Sequence, residues 1–70
     1  MDMSYVDSKT VDQIGFDEHE KEVHVIFKSG RHYIYSQVTL DVWEQFRDAP
    51  SQGIFLNQEF KAKGYPYREA

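Results

Sequence analysis

The chain has 70 residues, no cysteine and a formal net charge of −4 at pH 7, with eight Lys and Arg against twelve Asp and Glu. A chain of this length has room for one small domain, and without cysteine it has neither disulfides nor thiolate metal sites. The acidic balance argues against a strongly basic nucleic-acid-binding protein, and no stretch approaches the roughly 20 apolar residues of a membrane span.

The charge is unevenly distributed along the chain. Residues 1–27 hold seven acids against two bases, whereas residues 28–70 hold five acids against six bases. The second part therefore has the residues for a local basic face. Because residues 1–4 carry no basic region followed by an apolar run, no signal peptide is indicated and we expect a cytoplasmic location.

Three strands are predicted in the first half of the chain. Residues 1–8 are polar and expected to be flexible, so the domain is expected to span residues 9–70. The strands are recognised by alternating apolar residues and by β-branched side chains. Between the second and third strands, Ser29-Gly30 predicts a tight turn. The three predicted strands are residues 10–16, 22–28 and 31–35.

After the third strand the apolar residues recur at helical spacing. Thr39 or Asp41 is expected to cap a first helix that ends at Pro50, and Ser51 is expected to cap a second helix that ends at Gly64. The element order predicts an α+β fold, in which a three-stranded antiparallel β-sheet is followed by two short helices packed on one face.

The register of the predicted hairpin decides what its tyrosines do. A two-residue turn places Tyr33 and Tyr35 on the face away from the core, whereas a three-residue loop with a bulge moves both into the core. The sequence favours the two-residue turn, and the other register stays open. In the favoured register an aromatic and basic surface forms. The candidate ligand-binding residues on this surface are His24, Lys28, Arg31, Tyr33 and Tyr35.

The sequence resembles the KTSC domain over essentially the whole chain. Members of that family occur at the C-terminus of some lysyl-tRNA synthetases and as free-standing bacterial or phage proteins, and this chain resembles the free-standing kind. The resemblance implies the α+β fold, and RNA binding has been suggested for the family. The matching pieces are Ser8, Ile14-Gly15-Phe16-Asp17, Val23-His24-Val25-Ile26-Phe27, Ser29-Gly30, Tyr33-Ile34-Tyr35, Val38, Trp43, Ala49-Pro50-Ser51-Gln52-Gly53, Phe55-Leu56-Asn57 and Tyr65.

No pattern in the sequence indicates catalysis or a metal centre. There is no cysteine nucleophile, no Gly-x-Ser-x-Gly elbow and no phosphate-binding Gly-rich loop. The histidines His19, His24 and His32 do not form a ligand set, because the favoured register puts His24 and His32 on opposite faces. We therefore expect a protein without enzymatic activity, metal or cofactor.

The remaining function is binding. The sequence favours a small module that recognises a protein partner, or a second copy of itself, through the aromatic sheet surface, with no role at a membrane. The alternative is single-stranded RNA or another nucleic acid, bound by tyrosine stacking and by contacts of local bases with phosphates. Further candidates for phosphate contacts are Lys61, Lys63 and Arg68.

Overall fold

The computed structural model describes all 70 residues. Its strands form one antiparallel sheet in the order β1-β2-β3-β4-β5. The predicted α+β class and the two helical segments are confirmed, but the prediction of three strands is wrong, because the sheet has five. The elements are β1 (Met3–Tyr5), β2 (Val11–Asp17), β3 (Glu22–Phe27), β4 (His32–Tyr35), α1 (Leu40–Arg47), α2 (Gln52–Phe55), a π-helix (Leu56–Lys61) and β5 (Tyr67–Glu69).

The two strands that the sequence does not reveal are the short edges of the sheet. β1 and β5 have three residues each and no apolar alternation. They form because the exposed edges of β2 and β4 offer backbone donors and acceptors to any neighbouring chain. Arg68 of β5 also reaches Glu22 of β3, with 2.7 Å between Nη1 and Oε2. Residues 1–8 contain strand β1. The flexibility expected for these residues stays a prediction.

The β3–β4 hairpin adopts the three-residue loop, so the prediction of a two-residue turn is wrong. Val25 pairs with Tyr33 and Val23 with Tyr35. The backbone N–H of Phe27 donates to the carbonyl of Arg31 at 2.8 Å, which leaves residues 28–30 as the loop. Gly30 has φ 95°, and a positive φ at the third position is what a three-residue loop with a bulge requires. Both tyrosines therefore share the face of the valines.

The helices cover this face and close an aromatic core. Aromatic residues make up 16% of the chain, and their large rings replace the aliphatic mass that so short a chain lacks. Phe46 and Phe60 are fully buried, and their rings meet edge to face with centroids 5.2 Å apart. Trp43 stacks on Phe16 at the rim of the core, at 5.5 Å. The opposite face of the sheet carries no helix.

Both predicted helix caps are present. The Thr39 hydroxyl accepts from the N–H of Val42 at 3.3 Å, so Thr39 caps α1 and Asp41 lies in its first turn. The Ser51 hydroxyl accepts from the N–H of Ile54 at 3.2 Å and caps α2. None of the helices is long and apolar enough to cross a membrane.

Candidate functional site

An open groove of about 550 Å³ lies beside the β3–β4 loop. One wall is the loop, the other is the helical segment α2 with the π-helix, and residues preceding β2 close one end. No Asp or Glu lines it. We call it the cationic groove, defined by Lys9, Lys28, Arg31 and Lys61 around the rings of Phe27 and Tyr33.

The cations of this groove have no carboxylate partners. Three of the chain's eight Lys and Arg are held in ion pairs, at N–O distances between 2.7 and 2.9 Å. Of the other five, four line the groove and the fifth is Lys21. Clustered charges of one sign in a concave surface raise the local concentration of counter-ions, so the groove attracts anions. The paired cations are Arg47, Lys63 and Arg68, bound to Asp48, Glu59 and Glu22.

Backbone contacts bring together cations that are distant in sequence. The N–H of Lys28 donates to the carbonyl of Thr10 at 2.8 Å, which ties the end of β3 to the start of β2. Lys9 is thereby placed beside Lys28, 19 positions later in the chain. The three-residue loop then brings Arg31 back to the same side.

The helical wall stands close to the sheet because of a glycine. A Cβ atom at Gly53 would lie 3.3 Å from the Thr10 Oγ1, closer than most side chains tolerate. The helix then widens into the π-helix, where the N–H of Ala62 donates to the carbonyl of Asn57 at 2.9 Å. Asn57 and Lys61 of this segment line the groove. Such π-turns are rare and are frequent at functional sites.

Arg31 and Tyr33 are joined on the hairpin side of the groove. Arg31 Nη1 donates to the Tyr33 hydroxyl at 3.1 Å. This hydrogen bond raises the pKa of Arg31 above its already high value, and the negative charge of Glu69 acts in the same direction. The guanidinium therefore stays protonated at every physiological pH. The Tyr33 ring also meets Phe27 edge to face at 5.7 Å, so the floor of the groove is aromatic.

A second groove, of about 420 Å³, continues from the first. It shares Tyr33 and Lys61 with the cationic groove, and Phe60 and Gly64 complete its wall. Its surface is mainly aromatic. We call it the tyrosine groove, defined by Tyr33, Tyr35, Tyr65 and Tyr67.

Two of these tyrosines have pKa values raised above that of a free phenol. Burial raises the pKa of Tyr65 to about 12, assisted by the hydrogen bond that its hydroxyl donates to Glu59 Oε2 at 2.7 Å. Burial also raises the pKa of Tyr35. The tyrosine groove thus offers an uncharged aromatic wall beside a positively charged one.

The five candidates from the sequence fall into three places. Lys28, Arg31 and Tyr33 come together in the cationic groove, whereas Tyr35 lies under the tyrosine groove and is 3% exposed. His24 lies on the opposite face of the sheet. Lys61 also lines the cationic groove, but Lys63 and Arg68 are held in ion pairs. Lys9, Tyr65 and Tyr67 were missed, because no local pattern connects them with the hairpin.

His24 and His32 form a pair, contrary to the prediction of opposite faces. His24 Nδ1 and His32 Nε2 are 2.9 Å apart, because the shift of register by one residue turns His32 to the side of His24. Burial lowers the pKa of His24, and the charge of His32 lowers it further. No group of three or more His, Asp or Glu side chains is arranged to hold a metal ion.

These features define a small α+β domain with a cationic and an aromatic groove side by side. Residues 7–65 match the KTSC domain family, and the chain belongs to that family. It is 33% identical over 60 residues to an uncharacterized protein of Stutzerimonas stutzeri (strain A1501), over 86% of this chain and 84% of that one. The crystal structure of the KTSC domain protein YPO2434 from Yersinia pestis has the same fold, with a TM-score of 0.91, 23% identity, and coverage of 99% of this chain and 96% of that chain.

Proposed function

We propose that this KTSC domain is a non-enzymatic binding module for a single-stranded nucleic acid, RNA in the first place, whose phosphates lie in the cationic groove. The observation that carries the proposal is the absence of carboxylates from a groove that holds four unpaired cations. Phosphate contacts supply most of the affinity in such complexes. The sequence resemblance also implies that members of the family are associated with lysyl-tRNA synthetases. That association agrees with an RNA ligand.

The net charge of −4 does not oppose this function. Solvent-exposed charges are screened beyond about 8 Å at physiological ionic strength. The molecule measures 26 × 22 × 19 Å, so acids on its far side lie more than one screening length from the groove. A strand in the groove meets four cations, and Glu69 is the carboxylate whose charge acts on one of them, Arg31.

A protein partner is supported less well. That prediction depended on an aromatic surface on the free face of the sheet, and Tyr33 and Tyr35 lie on the face that the helices cover. The free face instead carries the His24–His32 pair and the exposed Glu22–Arg68 ion pair. A groove of unpaired cations fits a polyanion better than it fits an apolar peptide.

The test is fluorescence anisotropy with a labelled single-stranded RNA oligomer and its DNA counterpart, at several salt concentrations. Lys28→Gln removes a positive charge of the groove, and Lys21→Gln removes the one Lys or Arg charge outside it that has no ion-pair partner. We expect Lys28→Gln to weaken binding and to reduce the slope of log affinity against log salt by about 0.7, and Lys21→Gln to leave both unchanged. Equal effects of the two variants, or no binding at low salt, would contradict the proposal.

A further inference from the structure

We propose that the tyrosine groove binds one nucleobase of the strand whose phosphates occupy the cationic groove, and that the Tyr35 hydroxyl forms a hydrogen bond with the edge of that base. This inference rests on the proposed function, because the phosphates bring the base into place. It assigns a nucleobase to the tyrosine groove and gives Tyr35 the role of recognising the edge of that base.

The two grooves together suit a ligand with two chemically different parts. Tyr33 and Lys61 belong to both, so a short ligand spans them without crossing the rest of the surface. On one side it meets unpaired cations, and on the other it meets neutral aromatic rings. A nucleotide has both complementary parts, an anionic phosphate and a flat base, within a single unit.

Tyr35 supplies a hydroxyl without a protein hydrogen-bond partner beside the tyrosine groove. The residue is 3% exposed, and its ring stacks on Phe60 with centroids 5.1 Å apart. The hydroxyls of Tyr33 and Tyr65 are hydrogen-bonded within the protein, but that of Tyr35 has no partner. No fully buried side-chain oxygen or nitrogen lacks a partner, so the Tyr35 hydroxyl is not fully buried. The residue lines the tyrosine groove, where a ligand can reach it. A hydroxyl both donates and accepts, as base edges do.

Tyr67 supplies the stacking surface. It is 65% exposed at the rim of the groove, on strand β5. Its ring is held by Tyr33, edge to face at 5.9 Å, and by Tyr35, tilted at 5.7 Å. An exposed ring that is already fixed by its neighbours loses little freedom when a base stacks on it.

The experiment compares two single-stranded oligomers of equal length, one with bases and one abasic, by fluorescence anisotropy. We expect Tyr67→Ala to weaken binding of the base-containing oligomer about 5- to 150-fold and to leave the abasic oligomer unchanged. Tyr35→Phe removes only the hydroxyl and should weaken binding of the base-containing oligomer about 2- to 12-fold. Tyr5→Ala is the matched control, because Tyr5 is 78% exposed on the opposite edge strand.

Folding of every variant is checked by circular dichroism, and Tyr67→Leu keeps apolar bulk without a stacking face if Tyr67→Ala unfolds. Equal effects of Tyr67→Ala on both oligomers, or none on either, would overturn the base subsite. Tyr35→Phe binding like the unchanged protein would remove the role of the hydroxyl. If Lys28→Gln still weakens the binding of both oligomers, these results contradict only the base subsite, and the proposed function stands. If neither oligomer binds the unchanged protein, both proposals fail.

Discussion

The ring of Tyr35 stacks on that of Phe60, with centroids 5.1 Å apart and an angle of 27° between the planes. This contact joins strand β4 to the π-helix and exists only in the register of the three-residue loop. In the other register Tyr35 would face away from the helices. Tyr35 also lines the tyrosine groove, so one contact serves both the core and the proposed base subsite.

Replacing Tyr35 by alanine should destabilise the domain strongly. The residue is 3% exposed, and truncating a buried large aromatic costs about 3–5 kcal/mol of unfolding free energy. Urea unfolding followed by circular dichroism measures the loss. The exposed Tyr5→Ala should change stability by no more than about 0.5 kcal/mol. Near-normal stability of Tyr35→Ala would contradict the position of Tyr35 in the core.

Gln52 should be important for stability although it is polar. Its side-chain Nε2 lies 3.5, 3.3 and 3.2 Å from the backbone carbonyl oxygens of Phe46, Arg47 and Ala49. It thereby donates hydrogen bonds to carbonyls at the C-terminal end of α1. Gln52→Ala removes this donor from the carbonyls of Arg47 and Ala49, whereas the Phe46 carbonyl still accepts from the N–H of Ala49 at 3.3 Å. The substitution should cost about 1–3 kcal/mol in thermal or urea unfolding. The exposed Gln58→Ala is the control; a similar loss in both variants would argue against the capping role.

Glu69 should weaken anion binding in the cationic groove. It pairs with Tyr33 in the sheet, and its charge acts on Arg31. Glu69→Gln removes this charge and should tighten binding of a single-stranded oligomer about 1.5- to 5-fold at low salt, with a smaller gain at high salt. Glu44→Gln on α1 makes the same change of charge away from the groove and should have no effect. Equal gains in both variants would indicate that only net charge matters.

The His24–His32 pair should make stability depend on pH. Because burial and then the charge of His32 lower the pKa of His24, the folded state binds this proton less readily than the unfolded chain. The contribution of His24 to stability is therefore present above about pH 6.5, and it is lost as the pH falls through the lowered pKa of His24. NMR titration should find the pKa of His24 below its usual value, and higher in His32→Ala. An unchanged pKa in that variant would contradict coupling between the rings.

Where local pattern carries the information, the sequence predicts the fold correctly. The alternation of residues around Val23 and Val25 predicts β3, because a strand with one buried face must alternate. The hydroxyls of Thr39 and Ser51 predict the starts of the helices, because they satisfy the first N–H groups. These features depend on neighbours within a few positions, so one sequence suffices to find them.

Long-range contacts decided the remainder. The two possible hairpin registers differ by a shift of one residue. The positive φ of Gly30 in the loop and the packing of Tyr35 against Phe60 together select the observed register. The cationic groove joins Lys9 to Lys61, which lie 52 positions apart in the printed sequence. No periodicity connects such residues, and their meeting depends on how the helices close over the sheet. The sequence determined which residues carry charge and aromatic rings, and the tertiary structure alone decided which of them share a groove.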